Sequence, residues 1–223
     1  MGLLSWLFGK SKKVTVQDSV WLSNAARLKG VSESISNALG SNSSVLVLAH
    51  FPASLLSFEK HCIEIGWRLE KIPTQLKPST AIDLAAGSTR ILCGLVRNLA
   101  TTEFPMGDMP TPSPLPIIVL ERHFLRRYDN RVRDFAEELG NNGRVEFNLA
   151  MTDPMMRLFA GEWVANVLVR MGMKEYEKIE SGLVYRRFKK AQASIASKIT
   201  LDQEADSAEE WWQRNGEPEN RSL

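Results

Sequence analysis

VLVLAHFPASLLSFEKHCIEIG (45–66) decides the fold class. Its opening run is apolar without alternation, follows the Ser41–Ser44 turn and ends at His50. A short run of that kind suits a strand covered on both faces. Pro52 then stands where a first helical turn tolerates proline, and Gly66 where a helix stops. A doubly covered strand running straight into a helix is the repeating unit of a parallel sheet.

Working outward, WRLEKI (67–72) reads as a short strand, AIDLAAG (81–87) as a short helix and TRILCGLV (89–96) as a strand. Residues 98–115 form a proline-rich loop. PIIVLER (116–122) is another buried-type strand, HFLRRYDNRVRDFAEELG (123–140) a charged helix and VEFNLAM (145–151) a last strand. Upstream, residues 17–39 read as a helix with Asp18 as N-cap and Val20, Leu28, Val31 and Ile35 at helical spacing. The expected class is α/β, a mostly parallel sheet flanked by helices, followed by a helical C-terminal segment. In that segment Asp153 and Pro154 open a helix, and Met156, Phe159, Trp163, Val167 and Met171 mark a face read as core packing. Residues 176–200 form a second helix, basic at Arg186, Arg187, Lys189 and Lys190. The boundaries expected are an amphipathic basic segment (1–16), an α/β domain (17–152), C-terminal helices (153–200) and an acidic polar tail (201–223) that frays. Trp211 and Trp212 are unusual in such a tail and either cap the domain or dock a partner.

Lys and Arg total 28 against 26 Asp and Glu, a net charge of +2, so a basic or acidic partner would need a local patch. Cys62 and Cys93 sit in apolar runs and read as core thiols of a reducing compartment. His50, His61, Cys62 and His123 lack zinc-site spacing, and no metal site is expected. No run of about 20 apolar residues suggests a membrane span. Leu3, Leu4, Trp6, Leu7 and Phe8 followed by Lys10, Lys12 and Lys13 make an apolar wedge beside a basic cluster, suited to an anionic membrane surface.

Two stretches, ERHFLRRYDNRVR (121–133) and FNLAMTDPMMRLFAGEWVANVLVRMGM (147–173), resemble the SecA protein-export ATPase. Glu121, Arg122, His123, Arg126, Arg127, Asp129, Asn130 and Arg133 match, in order, the family's ERHESRRIDNQLR. KIESGLVYRRFKKAQASIASKI (178–199) is similar to the I-E-x-x-x-V…A-Q start of SecA's long helix. VLVLAHFPASLLSFE and MGLLSWLFGKS resemble SecA segments more loosely. The resemblance implies a RecA-like domain, the second half of a two-lobed motor. In SecA the matched helix continues GRSGRQGDPG, with arginines that serve ATP bound on the first half. Here Phe135 and Glu138 fall at those arginine positions. No G-x-x-x-x-G-K-[ST] run and no matching Walker-B pair occur in these residues.

The expectation is therefore a degenerate SecA relative without ATPase activity of its own and without a resident cofactor, weak ATP or ADP binding being left open. The signature residues would form a structural ion network. The role implied is accessory, scaffold or regulator of protein export, cytoplasmic or peripheral on the inner face of the plasma membrane, with SecA or translocon components as partners. Two alternatives stand beside it. One is a subunit completing a split motor in trans, which Phe135 and Glu138 disfavour. The other is a nucleic-acid-binding module using the arginines of 122–133, which the interleaved acids disfavour.

Overall fold

The computed structural model describes residues 14–100, 115–139, 144–180 and 182–216. The elements are β1 (Thr15–Trp21), α1 (Asn24–Gly40), β2 (Val45–Ala49), α2 (Pro52–Glu64), β3 (Leu69–Lys71), α3 (Pro78–Ala85), β4 (Ile91–Leu95) and β5 (Ile117–Val119). There follow α4 (Arg126–Glu138), β6 (Arg144–Ala150), α5 (Pro154–Phe159), α6 (Gly161–Arg170), β7 (Ile179–Glu180), α7 (Gly182–Ala196) and α8 (Ala208–Asn215). The strands make one sheet in the order β3-β4-β2-β5-β6-β1-β7. Every pairing is parallel except that of β7 with β1.

Strand β2 shows why the apolar run lacks alternation. Val45, Val47 and Ala49 enter a core with Val31 and Ile35 of α1 and Phe58 and Cys62 of α2. Leu46 and Leu48 enter the opposite core with Val132 and Phe135 of α4 and Phe188 of α7. Helices therefore cover both faces, and the α/β class expected from the sequence holds.

The start of the chain differs from expectation. Residues 15–21 are a strand, not the first turns of a helix. α1 begins later, capped by Ser23, whose Oγ accepts from the Ala26 amide. Asp18 is not an N-cap; it lies inside β1, buried. Polar β1 is stable there because two of its side chains are answered from β6. Ser19 Oγ donates to Glu146 Oε1 at 2.7 Å and Trp21 Nε1 to Asn148 Oδ1 at 3.0 Å. A buried polar group bonded in this way no longer bears its desolvation cost unaided.

The C-terminal half also differs. The helix expected from Asp153 onward breaks at Ala160 into α5 and α6. Met156 is core, but Val167 and Met171 are exposed, while the side chains of Phe159 and Trp163 lie outside the description. The acidic tail does not fray over its described part: α8 is capped by Ser207, and Trp211 is 1% exposed. Trp211 stacks on Phe124 at 4.7 Å and donates from Nε1 to Asp202 at 2.9 Å. Of the two readings of the tryptophans, Trp211 takes the capping one. Met155, Phe188, Ile195 and Trp211 join the same core as the sheet.

The two cysteines are buried and free. Burial pushes the Cys62 thiol up to about 12 and the Cys93 thiol up to about 11, so both stay protonated and unreactive. Residues 1–13, with the expected membrane-contact residues, lie outside the described residues.

Candidate functional site

Residues 121–133 leave the carboxyl end of β5 and enter α4, the end of a parallel sheet where ligands usually bind. The eight signature side chains divide into an inner and an outer set. Glu121, Arg122, His123 and Asp129 are buried. Arg126, Asn130 and Arg133 are half-buried and Arg127 is exposed.

Glu121 Oε1 accepts from the backbone amides of His50 and Phe51. Phe51 caps α2 and has no side-chain oxygen to offer. A glutamate from the neighbouring strand thus serves the positive end of that helix. Arg122 holds the centre. Its Nε donates to Asp18 at 2.7 Å, its Nη1 to Asp129 at 2.8 Å, and its guanidinium lies 3.9 Å above the Phe147 ring. Asp129 accepts in addition from the His123 amide at 3.1 Å and from Gln192 Nε2 of α7 at 2.7 Å. His50 Nε2 lies 3.0 Å from Asp129 Oδ1 without hydrogen-bond alignment.

These contacts set the charge states. Burial alone would raise the Asp129 carboxyl, but Arg122, His50 and the His123 amide hold it well below the usual carboxylate range. For Asp18 burial outweighs Arg122, and its carboxyl is raised. Burial opposes the charge on Arg122, yet Asp129 and Asp18 together raise its pKa. His123 is pushed down to about 3, first by burial and then by nearby His50. Its Nδ1 accepts from the Leu125 amide, and its ring packs against Phe51, Tyr128 and Trp211. This neutral histidine is a packing and acceptor group. Arg127 and Tyr128 both reach Asp202, tying α4 to the C-terminal segment.

A cavity of about 160 Å³ opens beside this cluster, with Arg27, Ser54, Glu121, Asp153, Ser207 and Glu209 in its wall. Arg27 Nη1 donates to both oxygens of Asp153, at 3.0 and 2.9 Å. Burial raises Asp153 to about 6; Arg27 opposes, while Glu121 and Glu209 add to the rise. Arg122 also lines the cavity, but its charge is already shared between two aspartates. Three carboxylates facing Arg27 make a poor seat for a polyphosphate. The amide of Ala53, in the first turn of α2, donates to the Asp206 carbonyl.

Reading the sequence alone misses four members of this site: Asp18, His50, Gln192 and Asp202. Only Gln192 carried a signal, the A-Q pair of the third resembling segment. Among the described residues no cluster of His, Cys, Asp or Glu could hold a metal ion.

A family model described as the SecA P-loop domain matches residues 108–176, the stretch that holds β5, α4, β6, α5 and α6. Here the chain is SecA-like. The protein translocase subunit SecA of Koribacter versatilis (strain Ellin345) is 40% identical over 94 residues, 42% of this chain and 10% of the relative. That of Polaromonas sp. is 32% identical over 136 residues, 61% of this chain and 14% of the relative. That of Acidobacterium capsulatum is 44% identical over 81 residues, 36% of this chain and 8% of the relative. The SecA-like chain thus spans only a small part of the length of these relatives. Among solved structures, the C-terminal part of the Fun30 ATPase domain aligns with a TM-score of 0.39 at 10% identity, over 77% of this chain and 54% of that one. That likeness is too distant to carry weight, and the fold of the SecA-like chain rests on its own sheet.

Proposed function

We propose that this SecA-like chain acts in protein export as a non-catalytic module, an accessory, scaffold or regulator at the membrane surface. The observation that carries the reading is Phe135. It occupies a position where the resembling motif has an arginine, and it is fully buried in the core with Val132 and Phe188. A side chain turned into the core cannot serve a phosphate across a domain interface. The carboxyl ends of the strands support the same reading, since Glu121 and the Asp206 carbonyl occupy the start of α2 and carboxylates line the adjacent cavity.

Export partners would be SecA or translocon components, met from the cytoplasmic side. The apolar and basic residues 3–13 would supply contact with an anionic surface. Among the described residues no helix is long and apolar enough to cross a membrane. The test is an ATPase assay on the purified chain, alone and with SecA. No turnover by the chain, together with a change in SecA turnover on its addition, is the expected result. Turnover by the chain itself that is lost on mutation within 121–133 would overturn the proposal.

A further inference from the structure

Away from the cavity just described, α4 and α7 lie side by side and leave a narrow cleft. Arg126, Asn130 and Arg133 line it from α4, and Tyr185, Lys189 and Gln192 from α7. Each set is spaced i, i+4, i+7, one face of each helix, and the two faces meet. Val16, Arg122, Asp129 and Phe147 complete the wall. The enclosed part measures about 30 Å³, room for one oxygen-sized group, and the rest opens to solvent.

Arg122, Arg126, Arg133 and Lys189 line this cleft against one carboxylate, Asp129. Asp129 already accepts from Arg122, His123 and Gln192. Asp18 stands behind it on Arg122, and Arg133 meets Asp134 through Nη2 at 3.2 Å and Glu137 through Nε at 3.6 Å. Among the described residues, neither Arg126 nor Lys189 is engaged in an ion pair. α7 carries Arg186, Arg187, Lys189 and Lys190 and no acidic residue. One further donor in the cleft wall is unanswered. Nη2 of Arg122 is buried and has no hydrogen-bond partner among the described residues. The Arg122 residue is only 7% exposed, and its guanidinium lies near Phe147 and Tyr185, both in the cleft wall.

We propose that the cleft between α4 and α7 binds a single phosphate group, held by Arg126, Arg133 and Lys189. Two guanidiniums, an ammonium, the Tyr185 hydroxyl and the Asn130 amide offer more donors than the two oxygens of a carboxylate can use, and they suit a tetrahedral oxyanion. Among the described residues the cleft is lined by two aromatic rings, buried Phe147 and exposed Tyr185, which offer no platform for successive bases of a nucleic acid. The phosphate can belong to a free phosphate compound or to a lipid headgroup, and the chemistry of capture is the same.

The test uses the full chain and the double variant Arg126→Gln/Lys189→Gln, with Lys189→Gln alone as a second variant because Lys189 is exposed and its loss spares the core. Circular dichroism confirms folding of each. Inorganic phosphate is titrated against thermal unfolding and calorimetry at constant ionic strength, with chloride as the control. The expected result is stabilisation beyond chloride and binding weakened about tenfold or more in the variants. Flotation with phosphatidylglycerol-containing vesicles, against phosphatidylcholine alone, then separates the sources. Parallel loss in the variants assigns a lipid headgroup, and unchanged flotation beside lost phosphate binding assigns a free phosphate compound. A phosphate effect equal to that of chloride, or one that survives in the double variant, overturns the proposal. Protection by single-stranded DNA but not by phosphate overturns it as well. The variants leave residues 1–13 intact, so failure here is distinct from failure of the export role.

Discussion

Arg122 is held in place by two aspartates that come from distant parts of the chain, Asp18 in β1 and Asp129 in α4. Such a buried group is costly to break because its partners cannot regain water. Arg122→Met should lower unfolding stability by about 3–5 kcal/mol, measured by urea denaturation, since it removes the guanidinium that both buried carboxylates share. His123 adds a pH dependence. Its folded pKa of about 3 lies below the ordinary value of 6.5, so the unfolded chain binds the extra proton. Its contribution is complete above pH 6.5 and is lost as pH falls toward 3, with a slope of at most about 1.4 kcal/mol per pH unit. Stability measured across that window should fall more steeply in the parent than in His123→Phe. Asp153 acts with the opposite sign. Its folded pKa of about 6 exceeds 3.8, so its contribution is complete below pH 3.8 and is lost as pH rises to 6. Asp153→Asn should remove that decline, and an unchanged pH profile would show that Arg27 keeps the carboxylate charged throughout.

At the scale of elements, the approach of α1 to β1 depends on one missing atom. A Cβ on Gly30 would lie 2.0 Å from Cη2 of Trp21, and Trp21 is fixed by its bond to Asn148. Gly30→Ala should therefore destabilise by about 1–3 kcal/mol, despite the better helix propensity of alanine, and calorimetric melting would register it. A neutral or stabilising result would mean that α1 can slide on β1. The same pair of elements explains why 17–39 looks helical in sequence. Val20 fits a period of 3.6 as well as a strand, and Asp18 resembles a cap. What makes β1 a strand is Glu146 and Asn148 on β6, each 127 positions along the chain from its partner. No local pattern carries that pairing.

At the scale of the whole molecule, the C-terminal segment closes the end of the sheet from which β5 enters α4. Asp202 gathers Arg127, Tyr128 and Trp211, and Trp211 lies on Phe124. Trp211→Ala should cost about 3–5 kcal/mol in chemical denaturation, the range for removing a buried aromatic ring. A loss within the surface range, about 0.5 kcal/mol, would return residues 201–216 to the status of a loose tail.

Residue order by itself determined the central sheet and the SecA-like segment. The runs 45–49, 91–95 and 117–119 are apolar enough to need cover on both faces, Pro52 and Gly66 bound α2, and the spacing of 121–133 is a local pattern. These are properties of neighbours in sequence, and short-range physics writes them there. Tertiary structure alone decided that β1 pairs with β6, that the acidic tail becomes a packed helix, and that Asp18, His50, Gln192 and Asp202 join the signature residues. Each of those outcomes rests on buried polar groups whose charges and hydrogen bonds are answered from far along the chain. Their desolvation is tolerable only once the partner has arrived.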